Sequence, residues 1–157
     1  MLWKVYQNSS VIFLMTFFIF ISYETCNAQE FLNYNEAVLN NKEKVKISAI
    51  LNSNSIKFSS ETTLNKASQN TITLDINYSN LSSLNQVNTV QFQNVRNCIV
   101  RISAPISAIN LNALNHFSNI EIVHLIIETT AISGNIPSLT TMNNPQVLIS
   151  YQISIPE

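Results

Sequence analysis

The sequence predicts a mainly β fold built by repetition, with short helical or coil segments between the strands and a helix capping its start. Three observations predict it. Apolar and polar residues alternate over short runs, the pattern of strands with one buried face. Rows of apolar residues at period three stand between those runs. The runs near Ile47, Leu74, Leu125 and Ile149 fall one or two intervals of about two dozen residues apart, an interval that belongs to stacked repeats. A unit of that size buries its apolar row only against a neighbour.

The chain opens with one cation, Lys4, and no acid over residues 1–10, then an almost uninterrupted apolar run over residues 11–22. That run is short for a membrane span. The small residues Cys26 and Ala28 occupy the positions a signal peptidase reads, so residues 1–28 are an expected export signal cleaved after Ala28. Membrane contact is expected only through this segment, where it stays uncleaved. The expected organisation is then an N-terminal cap over residues 29–44 and a repeat domain over residues 45–157.

Residues 30–41, with Phe31, Leu32, Ala37, Val38 and Leu39 among acids, read as a short amphipathic helix. Beyond it the period is two. Val45, Ile47, Ala49 and Leu51 alternate with polar residues, and so do Ile72, Leu74, Ile76 and Tyr78. Val90 with Phe92, Val100 with Ile102, and Val147, Ile149, Tyr151 and Ile153 repeat the pattern. Residues 120–127 are almost continuously apolar, as in a strand covered on both faces. The period-three rows are Leu81, Leu84 and Val87, and Leu111, Leu114, Phe117 and Ile120.

Residues 122–142 carry the most specific motif. Ile122, Leu125, Ile127 and Ile132 stand at spaced apolar positions, followed by Gly134, the single glycine of the chain, and by Ile136-Pro137. This stretch resembles the leucine-rich repeat, in the variant with a Leu-Ser-Gly-x-Ile-Pro signature, although Thr130 stands where that pattern has Asn. The glycine permits a backbone bend out of the sheet and the proline fixes an extended exit. Residues 34–51 are similar to the capping segment of exported bacterial leucine-rich repeat proteins, and the Asn27-Ala28-Gln29 ending of the leader with the Asn-, Ile- and Lys-rich usage resembles secreted proteins of Bacteroidetes. The resemblance implies a solenoid with a parallel sheet along its concave side.

Composition limits the partners. Charged residues make up 11% of the chain and the net charge is −1, which argues against nucleic acid, a ligand that needs a clustered positive field. Cleavage after Ala28 leaves only Cys98 and no internal disulfide. The histidines are His116 and His124, and the one aspartate is Asp75. No glycine-flanked nucleophile turn accompanies them, and the histidines lack partners at zinc-ligand spacing. No catalytic residue, metal or cofactor is expected. On the implied solenoid, Thr73, Asp75, Gln91, Gln93, Arg101 and His124 alternate with buried positions and line the concave face, a neutral polar surface for a protein or glycan ligand. The expected function is that of an exported, secreted or surface-held, non-catalytic binding protein. The alternative is a structural envelope component that self-associates through an uncapped C-terminal edge.

Overall fold

The computed structural model describes residues 29, 31–35, 39–53, 55–58, 72–86, 92–132, 134–140 and 142–155. The expected leader and Gln91 lie outside the described residues. The elements in chain order are β1 (Phe31–Asn33), α1 (Asn41–Leu51), β2 (Ile56–Phe58), β3 (Thr73–Asn77), β4 (Asn97–Ile102), β5 (Ala108–Asn110), β6 (Ile122–Glu128), β7 (Ser138–Thr140) and β8 (Leu148–Ser154). Six strands form one sheet in the order β1-β8-β6-β4-β3-β2, and every pairing in it is parallel. The short strands β5 and β7 pair separately, also in parallel.

The alternating pattern became this sheet because its apolar positions fall into register. Leu74, Cys98, Val123 and Ile149 stand side by side, as do Ile76, Val100, Leu125 and Tyr151. Successive strands from β3 to β8 are therefore offset by 24, 25 and 26 residues along the chain. These rows enter one large core with Leu81, Leu84, Leu111, Leu114 and Phe117. Leu81 and Leu84 of the first period-three row lie in a 3₁₀ helix at Tyr78–Gln86, and Leu114 of the second lies in one at Asn112–His116 with Leu111 and Phe117 flanking it; three residues per turn put every third side chain on one face, and Val87 lies outside the described residues. Phe92 is not in a strand: it sits in a turn, buried edge-on against Phe117 with ring centroids 5.6 Å apart. The strand expected at 90–92 is thus a turn at Phe92, and among the described residues 92–110 only β4 joins the main sheet.

The N-terminal elements differ from the expectation. Residues 31–33 form β1 and not part of a helix, while Val45, Ile47, Ala49 and Leu51, read as a strand, belong to α1. Asn40 begins the helix with a capping box: its Oδ1 accepts from the Glu43 N–H, and Glu43 Oε2 accepts from the Asn40 N–H, both at 3.0 Å. On the helix Ile47 and Ile50 face inward while Val45 is 68% exposed, which is a period of three to four and not two. Ile47 and Ile50, with Leu39, pack on Ile99, Ile122 and Ile126 of the sheet's second face. Full burial of each isoleucine stabilises that contact by about 1.5–3 kcal/mol.

The edge of β8, expected to stand open, is paired by β1 along Ile149–Tyr151. The Tyr34 N–H donates to the Tyr151 carbonyl at 2.8 Å, and the Phe31 and Tyr151 rings meet with centroids 4.4 Å apart. Gln29 fastens the start of this segment. Its Nε2 donates to the Asn144 and Val147 carbonyls at 3.1 Å each, and its Oε1 accepts from the Met142 N–H at 2.7 Å.

Gly134 has φ +107° and is the one described residue with a positive φ, so its place in the bend before β7 is set by backbone geometry. A Cβ there would meet no neighbour within 4 Å. Gly134→Ala is therefore expected to lower stability by roughly 1–2 kcal/mol through backbone strain alone. Chemical denaturation should show this as a lower midpoint with an unchanged slope; an unchanged midpoint would refute the assignment.

Candidate functional site

Alternation along the strands assigns the second face of the sheet residue by residue. Thr73, Asn97, Ile122 and Leu148 form one row; Lys57, Asp75, Ile99, His124 and Ser150 the next; Asn77, Arg101, Ile126 and Gln152 the third. Four of the six expected ligand-contacting residues, Thr73, Asp75, Arg101 and His124, do share this face. The face is not an open surface, because α1 and the segment around Tyr34 lie on it. Thr73 and Asp75 are buried and His124 is fully buried. Gln93 is exposed but lies in the turn before β4, where its carbonyl accepts from Asn119 Nδ2 at 2.7 Å, so it is not part of the sheet face.

Each buried polar group on this face finds a different answer to losing water. Thr73 Oγ1 accepts from Ser53 Oγ at 3.3 Å and from Asn97 Nδ2 at 3.4 Å. Asp75 receives a two-pronged bond from Arg101, with Nε on Oδ1 at 2.8 Å and Nη2 on Oδ2 at 2.9 Å. This fork matches the flat guanidinium to the flat carboxylate, and the bond to Asp75 holds the Arg101 pKa above its usual value. The Arg101 side chain remains 43% exposed while that of Asp75 is 5% exposed, so the pair spans the boundary of the cover.

His124 is the least satisfied group. Ser150 Oγ lies 2.9 Å from its Nδ1, and the Tyr34 ring stands edge-on to the imidazole at 5.7 Å. Among the described residues its Nε2 has no hydrogen-bond partner in good geometry. Burial pushes the imidazole pKa down to about 4, a lowering that the neighbouring Gln152 side chain partly offsets. The serine–histidine contact has the residue types of a nucleophile and its base, but Ile99 stands between His124 and Asp75 in the row, and Asp75 is committed to Arg101. Both His124 and Ser150 are inaccessible, so this pair offers no acyl-transfer geometry to a substrate. Cys98 is likewise out of reach, its thiol pKa raised by burial and by Asp75.

The cover ends toward the C-terminal ends of the strands, and a cleft opens there. It has a volume of about 340 Å³ and is lined by Asn77, Tyr78, Ser79, Arg101, Ser103 and Ile106 among others. Glu128, at the end of β6, holds the rim by accepting from Ser103 Oγ at 2.8 Å. On the far side of Tyr78 a second hollow of about 370 Å³ is lined by Ser82, Asn85, Asn110 and Asn112. Tyr78 divides the two: its hydroxyl donates to the Ala108 carbonyl at 3.3 Å and accepts from the Asn110 N–H at 2.9 Å. The sequence marks Asn77 only as the acceptor of an Asn-Tyr-Ser glycosylation motif and does not mark Ser103 or Glu128, although the strand offsets place Asn77 beside Arg101. Among the described residues no three His, Cys, Asp or Glu side chains gather as a metal-binding set.

No family model, characterised protein or solved structure matches this chain.

Two outcomes test the covered face. Unfolding exposes His124 to its ordinary pKa of 6.5 against about 4 in the fold, so its contribution to stability is complete above pH 6.5. It is lost as the pH falls toward 4 and levels off below, on the order of 3 kcal/mol in all. His124→Gln should flatten the stability curve over that window, and parallel curves for the two proteins would refute the assignment. Arg101→Met alone leaves a buried carboxylate unpaired and is expected to cost about 2–3 kcal/mol. The double variant Asp75→Asn with Arg101→Met should recover part of that loss, and strict additivity in denaturation would show that the pair is not coupled.

Proposed function

We propose that this is an exported, non-catalytic binding protein, held at the surface or released, built as a short leucine-rich-repeat-like solenoid. What supports the solenoid is that strands β3, β4, β6 and β8 add in sequence to one parallel sheet at near-constant offsets, with 3₁₀ turns on the opposite side. The ligand is a protein or a glycan. The export reading rests on the leader-like residues 1–28.

One observation supports placing recognition away from the middle of the sheet. The sheet face that would serve as the concave surface carries buried Thr73, Asp75 and His124, and α1 and Tyr34 pack on that face. Recognition therefore moves to the strand ends, where Asn77, Arg101 and Ser103 line the cleft. This cleft has the size of a small-ligand site, about 300–1,000 Å³ in general.

A blocking variant tests the reading. Asn77→Trp fills the cleft from its exposed rim, whereas Glu121→Trp adds the same bulk at the opposite ends of the strands, on another exposed residue. On arrays of extracellular glycans and peptides, the unmodified protein should bind at least one class. Asn77→Trp should abolish that signal and Glu121→Trp should retain it. Equal loss in both, or loss only in the second, would refute the location.

A further inference from the structure

We propose that the cleft at the ends of β3 and β4 takes a neutral, hydroxyl-rich ligand, the exposed end of a glycan, with Arg101 as its oriented donor. This rests on the reading of the molecule as a binding protein and names the ligand class of the same site.

The first argument is the state of Arg101. A guanidinium carries five N–H donors in a fixed plane. Asp75 takes one from Nε and one from Nη2. Three remain, and they belong to a side chain that lines the cleft and is 43% exposed. Because Asp75 is itself buried, the plane of the fork is fixed before a ligand arrives, which removes part of the ordering cost of binding.

The second argument is charge. Across four neighbouring strands the charged residues of this face alternate in sign: Lys57, Asp75, Arg101 and Glu128. Their formal charges cancel. An anion approaching Arg101 meets Glu128 in the next strand, and Arg101 is already neutralised by Asp75. A cation approaching Glu128 meets Arg101. A neutral ligand meets neither repulsion, and each charged group offers it a strong hydrogen bond.

The third argument is the chemistry of the walls. Ile102, Ala104 and Ile106 contribute carbon surface, while Arg101, Asn77 and the hydroxyls of Ser79 and Ser103 contribute polar atoms. Asn77 is exposed and offers both a donor and an acceptor. Ser103 already donates to Glu128, so its oxygen is left to accept. A pyranose presents an apolar C–H face and a ring of hydroxyls that both donate and accept, which matches this combination. An aliphatic or aromatic peptide anchor would fill the carbon surface but would cover the remaining Arg101 donors without pairing them, at the cost of unmade hydrogen bonds.

The test is side-chain NMR on the full chain, following the Arg101 Nε–H and Asn77 amide resonances. The probes are the methyl glycosides of glucose, mannose and N-acetylglucosamine, with acetate and N-acetyl-leucine amide as anionic and peptide-like comparators. At least one glycoside should shift both resonances saturably, and Asn77→Ala should weaken that binding about tenfold, the loss of one good hydrogen bond. Arg101→Lys, which keeps the charge and removes the fork, should weaken it further. Acetate binding more tightly than every glycoside would overturn the proposal. If N-acetyl-leucine amide alone moved the resonances, the glycan assignment would fall while the cleft stood as a binding site. If no probe moved them, the glycan proposal would fall; with array binding also insensitive to Asn77→Trp, the location of the site would fall as well.

Discussion

A parallel sheet has to be covered on both faces, and most of this structure is a consequence of that constraint. One face is covered by the 3₁₀ turns between the strands, whose leucines interlock with the ladder of Leu74, Cys98, Val123 and Ile149. Among the described residues, the other face takes its cover from outside the repeating units. It is supplied by residues 31–35 and 39–51, which pair with β8 through β1 and pack on the sheet through Leu39 and α1. One segment thus buries the second face and occupies the edge of β8. The two outermost strands, β1 and β2, are each three residues long, and short edge strands offer little template for another chain.

The repeating half of the fold was legible because its signal is local. Period two in 72–78 and 147–153, continuous apolarity in 120–127 and period three in 111–120 each reflect a burial pattern within one element. The N-terminal half was not. Residues 45–51 satisfy an alternating template and a helical one together, since Ile47 and Leu51 are apolar in both. The capping pair Asn40 and Glu43 and the exposure of Val45 separate the two, and only the first is written in the sequence. The site was half legible for the same reason. Alternation puts Thr73, Asp75, Arg101 and His124 on one face, as the pairing does, but their exposure depends on a helix that ends about 20 to 70 residues before them, and no local pattern in the strands shows that it packs there. Gln93 was misassigned because a strand was read from Val90 and Phe92, a run too short to set a register. Ser150, the partner of His124, was recoverable in principle, since the ladder offset of 26 residues points from one to the other.

The polar residues trapped under the cover are ordered by what their burial costs. A lone buried carboxylate is the most expensive, and Asp75 has the strongest partner, a fork from Arg101. A hydroxyl is cheaper, and Thr73 manages with two long bonds. An imidazole can shed its charge, and His124 stays neutral with one nitrogen bonded. Position along the strand permits this ordering. Asp75 is one strand over and one pleat short of Arg101, whose own row lies nearer the strand ends, so the fork reaches inward while the rest of the guanidinium stays at the surface.

That gradient of burial along the strands connects the fold to the proposed site. Moving from the row of Thr73 through the row of Asp75 to the row of Asn77, the face passes from buried to exposed at its β3 end. Charged and amide side chains that would be costly under α1 become available donors two residues later. A ligand at the strand ends would therefore meet groups that the buried part of the same face holds in place. The same cover that closes the sheet face to solvent fixes Asp75, Asp75 fixes Arg101, and the direction of Arg101's remaining donors is set by packing on the far side of the boundary. In this molecule the stability of the covered face and the geometry of the cleft are consequences of one contact between the N-terminal segment and the sheet.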